Sequence, residues 1–276
     1  MDYQDILYDV EGPVATITMN RPHYRNAQTW RLLDELDAAF DRAMEDGAVR
    51  AVIVHGAGGN FSSGHDLGTP DFLVERELSG IEPNTLADYD TFRKYNLDLL
   101  LKWRDLPKPT IAMVEGYCIF AGWMIVAATD VVFASEDALF LAGFHEYFSV
   151  PWDIHPRKAK EILFESRFIG AVEAMDAGLV NRVCSPQRLE AEAVGFARRV
   201  AENNPMWLRM LKASVNQSMD MQGYSVAMQT AFSDFIAQVH YGGMTRADDG
   251  SARLGPVDLA LRGLRGERPG LEQPGG

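Results

Sequence analysis

Repeated strand–strand–helix units forming an α/β domain, with more helices behind them, are what the sequence predicts, on three observations. Two apolar runs rich in β-branched residues, at 51–55 and 110–114, each lead into a loop of small residues, which marks buried strands of a covered sheet. Ahead of the first of these strands, Trp30, Leu33, Leu36, Ala39, Phe40 and Ala43 recur at helical spacing, so a helix packs one face on that sheet. From residue 190 onward the chain reads as amphipathic helices at 190–202, 205–219 and 225–239, with no strand among them.

In chain order, alternating residues at 6–10 and 14–19 flank Glu11-Gly12-Pro13 and predict a hairpin, which Asn20-Arg21-Pro22 ends. The helix from Trp30 and the strand at 51–55 follow, and that strand runs into a Gly/Ser-rich loop at 61–68. Residues 69–105 are rich in charge, with Gly80 and Pro83 as breaks and an amphipathic helix expected over about 85–103. The strand at 110–114 is expected to pass through the small-residue turn at Ala121-Gly122 into a buried helix reaching Asp130. A strand at 130–134, a short one at 138–140, a helix over 159–170, and a helix with a short strand over 171–183 complete the core. Parallel strands joined in this way require right-handed crossovers. The expected division is a core at 1–200 and a helical region at 201–276. Its tail from Gly242 is rich in Gly, Pro and charge, and its last stretch, 265–276, is expected to be frayed.

A chain of 276 residues with 47% apolar composition supplies a full core. The net charge of −13 argues against nucleic acid or an anionic membrane as partner. Two cysteines, Cys118 and Cys184, do not make a disulfide scaffold and suit a reducing compartment. The opening residues carry no basic segment followed by an apolar one, and no run has the length of a membrane span. The expectation is a cytoplasmic protein without metal, since its six histidines are scattered.

Two strand ends that each deliver a backbone N–H beside a glycine are how an oxyanion hole for a thioester oxygen is assembled. Five motifs fall in order along the chain: N-R-P-x-x-x-N-A at 20–27, F-S-S-G-H-D-L-G at 61–68, K-P at 108–109, G-Y-C-I-F-A-G-W-M-I-V-A-A-T-D at 116–130, and A-x-x-A-G-L-V-N-R-V at 174–183. Together they resemble the crotonase superfamily, the enoyl-CoA hydratases and isomerases. The resemblance implies a ClpP-like crotonase fold with a C-terminal helical extension that makes homotrimers or paired trimers. It also implies an acyl-CoA thioester as substrate, with no cofactor beyond the coenzyme A that the substrate carries. The amides of His65 and Ala121 would bind the thioester oxygen. Arg25, Ala27, Asp66, Leu67, Gly68, Gly122, Met124 and Phe144 would line the substrate, Asp66 holding the loop rather than doing chemistry, and phosphate charge would be offset by Arg25 and by Arg21, unless Arg21 is a plain surface residue. The segment 69–105 is longer than such proteins usually have and would cover the acyl end, for a bulkier acyl group or as a mobile lid, the plain alternative being a solvated surface insertion.

In the chemistry the chain departs from that pattern. The two glutamates of such hydratases would fall on Met124 and Phe144, and neither side chain moves a proton. Replacement candidates are Glu146, His145 and Asp153, with the imidazole of His65; the plainer readings are His145 hydrogen-bonded to a backbone carbonyl and the His65 ring pointing outward. Glu146, beside Tyr147 and Phe148, is expected either in an apolar pocket that raises its pKa or in an ion pair with Arg157 or Lys158. Asp153 is either catalytic or a helix cap ahead of Pro156. Hydration or isomerisation of an enoyl-CoA is the leading expectation. Hydrolysis of a thioester or C–C bond, or acyl-CoA binding without turnover, stay open at this stage.

Overall fold

The computed structural model describes residues 3–241, 254–268, 270, 271 and 274, and the side chains of 239–241 lie outside that description. Strands β1 (Ile6–Glu11) and β2 (Val14–Met19) form the expected hairpin, paired antiparallel. Helix α1 (Trp30–Glu45) starts at Thr29, whose side chain accepts from the Leu32 amide, and its buried positions include Leu33, Leu36, Ala39, Phe40 and Ala43. Strands β3 (Ala51–Gly56), β4 (Thr110–Val114), β6 (Val131–Ser135) and β9 (Arg182–Cys184) add in parallel, giving a six-stranded sheet of order β1-β2-β3-β4-β6-β9.

This sheet is covered on both faces, which is why β3 and β4 carry apolar residues toward both faces along most of their length rather than alternately. Ala51, Ile53, Ile111, Met113 and Phe133 pack on one side against Leu189, Ala193 and Ala197 of α9 (Pro186–Ala201). Val52, Val54, Ala112 and Val114 face the main core with α1, α4 (Leu99–Arg104) and α5 (Ala121–Ala127).

A second sheet differs from expectation. After Gly116 the chain does not pass straight into a helix; it forms β5 (Tyr117–Ile119), which pairs in parallel with β7 (Leu139–Leu141), and β8 (Ile169–Gly170) closes the sheet. The helix expected over 159–170 therefore becomes α7 (Pro156–Glu165), preceded by the one-turn α6 (Val150–Asp153) and stopped by Ser166 in the left-handed region, followed by β8. Only seven residues long, α5 is buried from Ala121 to Val126. In the long segment, α2 (Pro70–Ser79) stands where no helix was expected, and α3 (Leu86–Arg93) joins α4 through a π turn at Lys94–Asp98.

Helices α8 (Ala171–Ala177), α10 (Pro205–Met221), α11 (Tyr224–Tyr241) and α12 (Pro256–Leu264) complete the described chain. Polar composition predicts a frayed end, yet the described part of the tail is anchored. Ala260 is buried with Ile119, Leu141 and Phe168, and the Arg268 guanidinium donates to the carbonyl of Glu165 at 2.5 Å. No helix among the described residues is long and apolar enough to cross a membrane.

Candidate active site

The turn after β2 sets the site's floor. Arg25 and Asn26 both take positive φ, 48° and 54°, a conformation asparagine tolerates better than most residues. Asn26 is fully buried and uses its whole amide: Oδ1 accepts from the Arg21 amide at 3.0 Å, and Nδ2 donates to the carbonyls of Ala57 and Asn60 at 2.9 and 2.8 Å. This one side chain ties the turn to the loop after β3. Ser62 extends the tie. Its hydroxyl donates to the Asn26 carbonyl and accepts from the Gly64 amide and the Gln28 side chain.

That loop is in turn stitched to β5. The Ser62 amide donates to Tyr117 at 2.9 Å, and the Ile119 amide donates back to Ser62 at 3.0 Å. Glycine is required where the two segments touch: a Cβ on Gly64, with φ +92°, would lie 2.9 Å from the Ile119 carbonyl and 3.5 Å from the Ala121 nitrogen. On Gly122 it would lie 2.9 Å from the Ser62 carbonyl. His65 and Ala121, the two residues singled out as amide donors, thus follow backbone in van der Waals contact. Among the described residues no protein acceptor takes the amide of either.

Asp66 holds the loop shut. Buried, it accepts from the amides of Gly68 and Thr69, from the Thr69 hydroxyl at 2.6 Å and from Arg21 at 2.8 Å, and these partners together draw its pKa below the usual range against the opposing effect of burial. Arg21 is equally committed. It is buried, donating to the Ala27 carbonyl, Asp66 and Thr69, so the expectation that it offsets phosphate charge is corrected: its charge is spent inside the protein. Arg25 is the exposed member of the pair, over the Tyr117 ring at 5.6 Å. Ala27 is buried, whereas Leu67 is 95% exposed and Gly68 exposed.

The candidates for proton transfer separate in space. Glu146 is buried with its Oε2 3.6 Å from Nε2 of His65, a pairing that neither residue's sequence neighbourhood signals. Burial pushes its pKa up, but the charge and hydrogen-bonding capacity of His65 outweigh that and leave it below the ordinary value. This corrects both expectations for Glu146: its pKa is not raised, and its ionic neighbour is His65, while Lys158 pairs with Glu161 and Glu173 and Arg157 is in no ion pair among the described residues. His145 is buried with neither ring nitrogen hydrogen-bonded among the described residues. Burial pushes it down to about 4, so it is neutral.

Asp153 has hydrogen-bond partners of its own. Its Oδ2 accepts from Trp123 Nε1 and from the Ser149 hydroxyl, both at 2.7 Å, and burial raises its pKa. It borders a cavity of about 340 Å³ with Arg104, Thr129, Asn216 and Tyr224, and none of His65, Ala121, Met124 or Glu146 lines that cavity. It is not the cap of α7, since it ends α6, and His155 Nδ1 accepts from the Arg157 amide at the start of α7. Met124 is buried in the main core, and Phe144, 41% exposed, packs edge-on to Phe148 at 5.3 Å.

Comparisons with known proteins give the family. The family model described as enoyl-CoA hydratase/isomerase matches residues 9–246. EchA13 of Mycobacterium tuberculosis, assigned as an enoyl-CoA hydratase, is 35% identical over 99% of this chain and 92% of its own. A solved structure from Mycobacterium thermoresistibile, also assigned as an enoyl-CoA hydratase, superposes with TM-score 0.75 at 41% identity, covering 86% of this chain and 97% of that one. An enoyl-CoA hydratase/isomerase from Xanthobacter autotrophicus Py2 does so at 0.77 and 33%, covering 86% and 87%. With its two sheets, its motifs in order and these relatives, the chain has the crotonase fold and belongs to the enoyl-CoA hydratase/isomerase family of the crotonase superfamily.

Proposed function

We propose that the protein isomerises an enoyl-CoA thioester through an enolate whose oxygen rests on the amides of His65 and Ala121, with Glu146 moving the proton. The observation that carries this reading is the pairing of Glu146 with His65 beside two amides that have no acceptor among the described residues, on stitched loops. Each such donor is worth about 3 kcal/mol of transition-state stabilisation where one has been removed. A carboxylate that takes a proton from one carbon and returns it to another suffices to shift a double bond. Hydration must activate a water as well, and Met124 and Phe144 leave the usual second carboxylate missing.

At the coenzyme end, Arg25 is the exposed cation beside the turn, and the backbone of Ala27 and of 65–68 borders the same space. Assembly of copies is part of the proposal. Met206, Trp207, Met210, Leu211 and Val215 are all exposed on α10, a cluster of apolar side chains that a second copy would cover.

The test supplies 2-enoyl- and 3-enoyl-CoA separately and separates the products chromatographically. Interconversion without water addition is expected, and Glu146→Gln is expected to lower kcat by roughly 10²- to 10⁴-fold. Water addition as the main outcome would make the protein a hydratase, and full activity in Glu146→Gln would remove Glu146 from the chemistry.

A further inference from the structure

His65 brings two groups to the site, its main-chain amide and its imidazole. The inner ring nitrogen, Nε2, is buried with no hydrogen-bond partner among the described residues, and Oε2 of Glu146 stands 3.6 Å away. About 26% of the side chain stays exposed. A carboxylate behind one ring nitrogen draws the N–H to that side and leaves the lone pair on the other, here Nδ1. His145 packs near both groups and is neutral, so it does not compete for the carboxylate's charge.

Serine hydrolases use the same two-part economy: one residue supplies both the reacting side chain and an oxyanion amide, and a carboxylate orients the imidazole base. With an imidazole where the hydroxyl would be, the nucleophile this arrangement activates is a water molecule.

We infer that the protein also hydrolyses acyl-CoA thioesters, with the His65 imidazole as general base and Glu146 as the carboxylate that orients it. The inference rests on the proposed grip of the His65 and Ala121 amides on the thioester oxygen. Water attacks the carbonyl carbon and gives its proton to Nδ1, and the tetrahedral oxyanion sits on the two amides. The C–S bond then breaks, and the departing thiolate takes the proton from Nδ1. The products are a free carboxylic acid and coenzyme A. No double bond is needed, so saturated thioesters qualify where isomerisation has nothing to act on.

The experiment follows release of the free coenzyme A thiol from saturated acyl-CoAs of short, medium and long chain, alongside conversion of the matching enoyl-CoAs. The wild type is expected to release thiol. His65→Ala and His65→Asn, each checked for an unchanged melting temperature, should do so at least ~100-fold more slowly, since both keep the amide and remove the base. No release by the wild type while enoyl-CoA is converted would overturn hydrolysis and leave isomerisation standing. Release undiminished in both His65 variants would overturn the assignment of the base. Failure of both reactions together with no acyl-CoA binding would sink the underlying acyl-CoA reading.

Discussion

His145 carries a charge question that the fold has already answered. Its folded pKa lies near 4 against an ordinary 6.5, so between these values the unfolded chain binds a proton that the native one does not. Stability from the neutral buried ring is therefore fully present above about pH 6.5 and is lost as pH falls toward 4, by ~3 kcal/mol at the lower end. His145→Phe should flatten that loss, measured by denaturant unfolding across the window; an unchanged slope would mean the ring is not held neutral. At this scale the sequence was partly legible. Asp66 as a loop-holding residue and the loss of both family glutamates followed from residue type and motif position. The pairing of Glu146 with His65 did not, because contact between residues so far apart depends on how β7 and the loop after β3 meet in space. The partners of Asp153 were hidden for the same reason: Trp123 and Ser149 come from a helix and a loop whose meeting no local spacing announces.

The turn between β2 and α1 separates stability from binding in two neighbouring arginines. Arg21→Met would leave the buried Asp66 without its cation, a loss of about 3–5 kcal/mol. Differential scanning calorimetry should show a melting point lower by roughly 10 °C. Arg25→Ala should leave the melting point within a degree or two and raise KM for acyl-CoA, because this side chain is exposed and in no ion pair among the described residues. The reverse pattern would contradict the roles given to the two side chains. Elements that carry their own periodicity, such as α1, β3 and β4, were readable from the chain. The short strands β5 and β8 were not, since two or three residues hold no pattern and become strands only by pairing with β7. Phe120 shows the limit again. With φ 46° and ψ −102° it occupies backbone that favours glycine, held there by its ring against Gly143 and the cluster that includes α12.

Over the whole molecule, a sheet covered on both faces delivers two loops, far apart in sequence, to one place. The apolar face of α10 lies on the outside of that construction. Light scattering at micromolar concentration should report more than one copy per particle, and Trp207→Asp should shift it toward the monomer; a wild-type monomer would remove the assembly proposal. The whole account depends on two amides holding one thioester oxygen. Infrared difference spectroscopy of a saturated acyl-CoA with a ¹³C-labelled carbonyl reads that grip directly, on ice or with a non-hydrolysable analogue if turnover intervenes. Binding is predicted to lower the carbonyl stretching frequency below its value in water, as two preorganised donors polarise the bond more than solvent does. A bound carbonyl that vibrates at or above its frequency in water would contradict the central claim.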